Sequence, residues 1–318
     1  VELCAVWDSD SNRGAEWGKQ FEIASYESLE SLLANEDINA VGICAETSQH
    51  AELIVAAAKA GKALLCEKPP ALSLKECDVI SEAVKQNGVR LMQGFPMRVD
   101  PGNKYIKSLL DNGTIGEITS IRKRHGIGWA ANGLSDQRLS WIIKKELAGG
   151  GAFIDEGIHA ADFLIWMLGE PVSIQAFIPE SKNGFEVEEE GVAIIRFKNN
   201  VFATMQSSWT FAAATNTTEI YGREGTIIQQ FNDCASTQVN GESNFSVQIY
   251  SNKSEMAGWQ YPRVPSVFKN IHAEVAKTFI NCLLTGDEFP SGIQEGKAAL
   301  NLILKGYEAA ATGKEVFF

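Results

Sequence analysis

Through residues 1–95 the chain alternates short, almost unbroken apolar runs with stretches whose apolar positions recur at helical spacing. The first pattern is that of strands buried on both faces and the second that of amphipathic helices. Val1 to Trp7 reads as an apolar strand ending at Asp8, and Ile38 to Ala45 as a second. Ala51 to Ala60 is an Ala-rich helix ended by Gly61, since glycine accepts the left-handed backbone that closes a helix. Ala63 to Cys66 is a third strand. Ser73-Leu74-Lys75-Glu76 has the spacing of a capping box and opens a helix reaching Asn87-Gly88, and Arg90 to Gly94 is the next strand. This alternation predicts a parallel, doubly wound α/β sheet of the Rossmann type.

Beyond Gly94 the rhythm changes. Asp100-Pro101 supplies an N-cap and a proline at the first helical position, starting a helix through Asn112-Gly113. Ile118 to Lys123 is a strand, Gly126 to Ala148 a long polar loop holding Trp129 and Trp141, and Phe153 to Leu168 a helix closed by Gly169 and Pro171. Loops of that length are usually functional. Further strands follow at Val172 to Ile178, Val192 to Lys198, Val201 to Trp209, Thr218 to Tyr221 and Thr226 to Phe231, with hairpin turns at Asn199-Asn200 and Gly222 to Gly225. Phe268 to Leu284 and Gln294 to Ala311 close the chain as helices. The expected organisation is a dinucleotide-binding domain over 1–96 and a second, α+β domain over 97–318 on a largely antiparallel open sheet, its last helix packing back. Val192-Ala193-Ile194-Ile195 and Val201-Phe202-Ala203 are apolar on both strand faces. One face covers helices; the other calls for a second copy, in a homodimer or homotetramer.

Composition narrows the classes. A chain of 318 residues, 45% hydrophobic and 21% charged, is an ordinary globular protein with room for two cores. No apolar run approaches the roughly 20 residues of a membrane span. A net charge of −12 argues against nucleic acid. Cys4, Cys44, Cys66, Cys77, Cys234 and Cys282 are scattered without a Cys-x-x-Cys pair, which reads as reduced thiols in a cytoplasmic protein. With only His50, His125, His159 and His272 and no paired ligand spacing, no metal site is expected. A dinucleotide-binding sheet also calls for a strand and a G-x-G-x-x-G turn ahead of Val1, so roughly 30 preceding residues are expected.

Two distant motifs carry the chemistry. Glu67-Lys68-Pro69 follows an apolar strand, and Gly149-Gly150-Gly151 leads into Asp155 and His159. The four-residue spacing puts the last two on one helical face, where the carboxylate can orient the imidazole and a nearby ammonium can tune it. Proton transfer beside an alcohol or carbonyl is the natural use. Asp8 ends the first strand, where such a sheet places the carboxylate that accepts hydrogen bonds from the adenosine ribose, which favours NAD. Arg13 keeps NADP in play, because an arginine nearby accepts a 2′-phosphate.

The strand into Leu65-Cys66-Glu67-Lys68-Pro69-Pro70, then Gly94-Phe95, then Gly149-Gly150-Gly151-Ala152-Phe153-Ile154-Asp155-Glu156-Gly157-Ile158-His159 resembles the glucose-fructose oxidoreductase and inositol dehydrogenase family over essentially the whole chain. The resemblance implies a two-domain dehydrogenase of sugars, polyols or related alcohols, with a nicotinamide cofactor on the first domain and assembly into oligomers. Lys68, Asp155 and His159 match the family's catalytic positions, His159 as base, Lys68 on the reacting oxygen and Asp155 holding His159 or the substrate. In Cys44-Ala45-Glu46-Thr47-Ser48-Gln49-His50, Ala45-Glu46 replaces the family's Thr-Pro while His50 is retained. Ala45, Glu46, His50 and Glu67 are the matching cofactor-side positions. Arg98, His125 and Trp141, with Trp129, are candidates to frame a polyhydroxylated substrate. A cofactor-sensing regulator without turnover, and a reductase of a non-sugar diol, imine or pigment, are the competing readings.

Overall fold

The computed structural model describes residues 1–128, 137–211, 216–230, 247–253, 255, 257–264 and 271–318. Trp129, Phe231, Cys234 and Phe268 lie outside the described residues. The first region contains β1 (Ala5–Val6), α1 (Ser11–Phe21), β2 (Ala24–Ser25), α2 (Leu29–Ala34), β3 (Ala40–Ile43), α3 (His50–Lys59), β4 (Ala63–Glu67), α4 (Leu74–Gln86) and β5 (Leu91–Gly94). All of its strand pairings are parallel: β1 with β2, and β3-β4-β5 as a separate sheet. The first two strands are shorter than their apolar runs suggest, because β1 pairs only with the two residues of β2, and Val1 and Leu3 stand in solvent. At the start of α4 the serine half of the expected capping box forms, and Glu76 caps the residue before that serine. Ser73 Oγ accepts from Glu76 N at 3.2 Å, and the Glu76 carboxylate accepts from Ser73 Oγ and Leu72 N at 2.9 and 3.0 Å.

The second region continues with α5 (Pro101–Asp111), β6 (Ile118–Gly126), α6 (Lys145–Ala148), α7 (Ala152–Asp155), α8 (Gly157–Leu168), β7 (Pro171–Phe177), β8 (Glu190–Phe197), β9 (Phe202–Ser208), β10 (Thr217–Gly222), β11 (Gly225–Gln230), β12 (Val247–Ser251), β13 (Gly258–Gln260), α9 (Ile271–Thr285), α10 (Ile293–Thr312) and β14 (Val316–Phe317). Its strands form one sheet in the order β13-β12-β11-β10-β6-β9-β8-β7-β14, antiparallel at every pairing except β6 with β9. The alternation along β8 sets its two faces: Ala193 and Ile195 are buried in the core that residues of α8 and α10 share, while Val192 and Ile194 face outward. Phe177 and Phe202 extend that outward apolar face from β7 and β9. α10 spans both regions, packing on α8 and β7 and also on α4 and β5. Among the described residues no helix is long and apolar enough to cross a membrane.

Two local expectations change. The long loop after β6 is partly helical, with a 3-10 turn over Gln137–Ile143 before α6. The helix expected over Phe153 to Leu168 is interrupted at Glu156 into α7 and α8. Gly157 sits so close to β9 that a Cβ there would lie 3.1 Å from Ser207 Oγ, and α8 packs on that strand.

Candidate active site

β4 ends at Glu67 and so delivers Lys68 at the carboxyl edge of the parallel sheet, where the Lys68–Pro69 peptide bond is cis. Lys68 Nζ crosses to the second region and donates to Asp155 Oδ1 at 2.5 Å and to the Asp155 carbonyl at 2.9 Å. The other carboxylate oxygen, Oδ2, accepts from Trp209 Nε1 at 2.9 Å. Burial works against the Lys68 charge, but Asp155, Glu156 and Glu67 outweigh it and hold the ammonium's pKa above its ordinary value.

The triglycine that precedes Asp155 is explained by what surrounds it. Gly149 has φ +85°, a left-handed conformation that a side chain disfavours. Gly151 runs so close to the neighbouring chain that a Cβ would sit 1.8 Å from the Glu188 carbonyl oxygen. Behind it, Glu188 Oε1 accepts from Gly151 N and Phe153 N, both at 2.9 Å, and from Tyr307 Oη at 2.7 Å. A carboxylate there satisfies backbone donors that a helix start leaves open. The turn carrying Asp155 is thereby bolted to β8 and α10.

His159, on the first turns of α8, is buried, with its ring centroid 5.2 Å from that of His125. Its Nδ1 is sealed from solvent with no hydrogen-bond partner among the described residues. Burial, then the positive charge of Lys68, then His125, His272 and Lys123, push its pKa well below the usual imidazole value. The expected Asp155–His159 contact is not made: both Asp155 oxygens are taken by Lys68 and Trp209. A charged ammonium is the stronger partner for a carboxylate, and Trp209 occupies the second oxygen.

The remaining candidates divide. His125 is buried beside His159, on β6. Arg98 is already engaged: its guanidinium grips Asp162 with three contacts of 2.8 to 3.0 Å and donates to the Pro290 carbonyl at 3.1 Å, so it ties α8 to the segment between β5 and α5 and to the stretch before α10. His50 is likewise a tether. It is buried with Nδ1 2.7 Å from the Pro69 carbonyl and Nε2 3.0 Å from that of Ala45, clamping the loop after Lys68 to the end of β3. Trp141 is half-buried in the 3-10 turn.

At the adenosine end, Arg13 holds Asp8 in a two-pronged ion pair, Nε to Oδ2 at 2.6 Å and Nη2 to Oδ1 at 2.7 Å. Burial tends to raise the Asp8 pKa, but Arg13 and the Asp10 amide overcome it and leave the carboxyl below its ordinary range. Glu46 acts on Arg13 from the end of β3, so all three charges share one locality. Glu67 is half-buried, 3.9 Å from His272 Nδ1 on α9 and within 3.3 Å of the Lys68 amide.

A dinucleotide lies along the carboxyl ends of parallel strands, and the residues present fit it at both ends, with Asp8 after β1 and Glu67 and Lys68 after β4. Trp209, Glu188, Tyr307 and Glu156 escaped the sequence reading; the available sign was a run of three carboxylates, Glu188-Glu189-Glu190, at the start of an apolar strand.

A parallel nucleotide-binding sheet joined to an open sheet, with a lysine of one bonded to a carboxylate of the other beside a buried imidazole, is the build of a two-domain NAD-linked oxidoreductase. Residues 1–95 match the oxidoreductase family with an NAD-binding Rossmann fold, and residues 103–228 match the GFO/IDH/MocA C-terminal domain. The chain belongs to the GFO/IDH/MocA family. Levoglucosan dehydrogenase of Pseudarthrobacter phenanthrenivorans is 30% identical over 62% of this chain, an alignment that spans 57% of that protein's length. Myo-inositol 2-dehydrogenase of Thermotoga maritima is 25% identical over 98% of this chain and 89% of its own length. In three dimensions a levoglucosan dehydrogenase in complex with NADH and levoglucosan shares the fold, with a TM-score of 0.86, 24% identity, and 99% of this chain and 89% of that chain covered.

Proposed function

We propose that this protein transfers a hydride between a secondary alcohol of a sugar, inositol or related polyol and NAD(P). The observation that carries the reading is the Lys68–Asp155 bond, which places an ammonium of the nucleotide-binding sheet beside the segment bearing His159. Bound nicotinamide supplies the hydride acceptor. Lys68 donates a hydrogen bond to the reacting oxygen and steadies the negative charge that develops there, while Asp155 keeps the lysine charged and aimed. With Nδ1 sealed, Nε2 of His159 takes the hydroxyl proton, and the depressed pKa keeps that nitrogen free to do so. The relatives named for levoglucosan and inositol support this substrate class. The test is a panel of polyols, inositols and aldoses with NAD or NADP, followed by reduced-nicotinamide absorbance. Turnover of one class supports the reading; cofactor binding with no turnover across the panel replaces it with a sensing role, and turnover only of imines or non-sugar diols moves the substrate.

NAD is the proposed cofactor over NADP. The carboxylate of Asp8 repels a 2′-phosphate and occupies Arg13, the neighbouring arginine that would welcome it. Asp8→Ser frees Arg13, so the ratio of NADP to NAD affinity rises by about tenfold, the scale of one charged hydrogen bond; an unchanged ratio in fluorescence titrations removes Asp8 from the account.

The reading also divides the chain at 96/97, between the end of β5 and the start of α5, and places the protein in a reducing cytoplasm, which suits the free thiols of Cys4, Cys44, Cys66, Cys77 and Cys282. It pairs two or four copies through the outward sheet face. Ile194 is 53% and Phe177 69% exposed there, more apolar surface than a solitary sheet leaves in water. Ile194→Glu therefore yields single subunits by light scattering from a wild-type assembly; an unchanged mass places the interface elsewhere.

A further inference from the structure

Glu156 is a buried carboxyl that the proposed mechanism leaves unused. It stands at the turn between α7 and α8, one residue past Asp155 and 2% exposed. Its Oε2 lies 3.4 Å from His125 Nε2 without hydrogen-bond alignment, and burial, with the charges of Lys123 and Lys68, pushes that imidazole's pKa well below its ordinary value, so the ring is neutral. The His125 ring in turn packs against His159. A cation formed on His159 faces Lys68 from the loop after β4, His125 and Lys123 from β6, and His272 from α9, all of which disfavour it. The carboxylates of Asp155 and Glu67 are engaged by Lys68 and by His272. An uncompensated charge in such surroundings is costly.

Resting on the reading above, we propose that Glu156 is a positioning residue acting through His125: its carboxylate, packed against the ring that lies against His159, balances the positive charge His159 takes up during alcohol oxidation. No bond beyond those of the oxidation is made or broken. The hydroxyl proton goes to His159, the hydride to the nicotinamide, and Glu156 supplies the counter-charge.

Burial, and then the charge of Asp155, push the Glu156 carboxyl up to about 8, against the pull of Lys68. It is therefore neutral at low pH and ionises as the pH rises through that value, so the counter-charge is present only on the alkaline side. Wild-type kcat for oxidation rises between pH 6.5 and pH 9.5. In Glu156→Gln that rise is lost and kcat at pH 9.5 falls by about tenfold, the scale of removing a residue that orients an active-site histidine, with KM little changed. Glu156→Asp, which keeps the charge, restores the rise. Should Glu156→Gln fail to fold, His125→Asn carries the same test, because it removes the link and flattens the same limb. A wild-type pH profile in Glu156→Gln, or an equal loss at every pH, overturns the inference. The two readings separate in the His159→Ala variant. If that variant is inactive while Glu156→Gln keeps the alkaline rise, only this inference falls; if it turns over normally, the mechanism falls first.

Discussion

Replacing Lys68 by alanine lowers turnover by about 10²-fold or more, the range for losing an acid–base or charge-stabilising group at the reacting atom. Two effects combine. The reacting oxygen loses the donor that steadies its developing charge, and Asp155 loses the ammonium that occupies Oδ1, leaving Trp209 as its remaining side-chain partner. A stranded carboxylate in a partly buried site is itself destabilising, so the variant is compared with Lys68→Ala/Asp155→Asn, which removes that charge. Stability recovers in the double variant and turnover does not. Lys68→Arg separates charge from shape: a planar fork in place of a point charge does not reproduce contacts to both Asp155 Oδ1 and its carbonyl, so its rate stays well below wild type. The measurements are kcat and KM with the best substrate of the panel, with cofactor affinity by fluorescence. Near-wild-type kcat in Lys68→Ala refutes the role given to the ammonium.

What was legible in the sequence was whatever local pattern decides. Ser73 and Glu76, Asp100 and Pro101, and Gly61 announce helix ends through contacts within a few residues, and the helices stand there. The inward and outward residues of β8 follow from strand alternation. What the sequence hid was long-range. The partner of Arg98 is 64 residues away, that of Asp155 on Trp209 is 54, and the cap that Tyr307 and Glu188 place on the triglycine turn joins residues 119 apart. The interruption at Glu156 carries no local signal in an apolar, helix-forming run. Motif order placed Lys68, Asp155 and His159 near one another, but which of them bonds to which is decided by contacts between distant segments.

Replacing His159 by alanine has the second large effect, again about 10²-fold or more in kcat. The argument begins with the environment of the ring. Burial and the surrounding positive groups keep the imidazole neutral well below pH 6.5, so across the working range it is a base awaiting a proton and not a spent acid. The sign is fixed by that direction: a group whose pKa is lowered loses its basic form only in acid, so the limb of the wild-type pH profile set by His159 lies on the acid side and well below the ordinary imidazole range. His159→Ala removes that limb along with most of the rate. Among the described residues nothing binds the ring's Nδ1, so its loss strands no hydrogen-bond partner there, and the variant keeps its fold and its cofactor affinity. Added imidazole, which returns a base to the space, raises the residual rate of His159→Ala and leaves Lys68→Ala unaffected. Wild-type turnover in His159→Ala, or rescue of both variants alike, means that the proton leaves by another route.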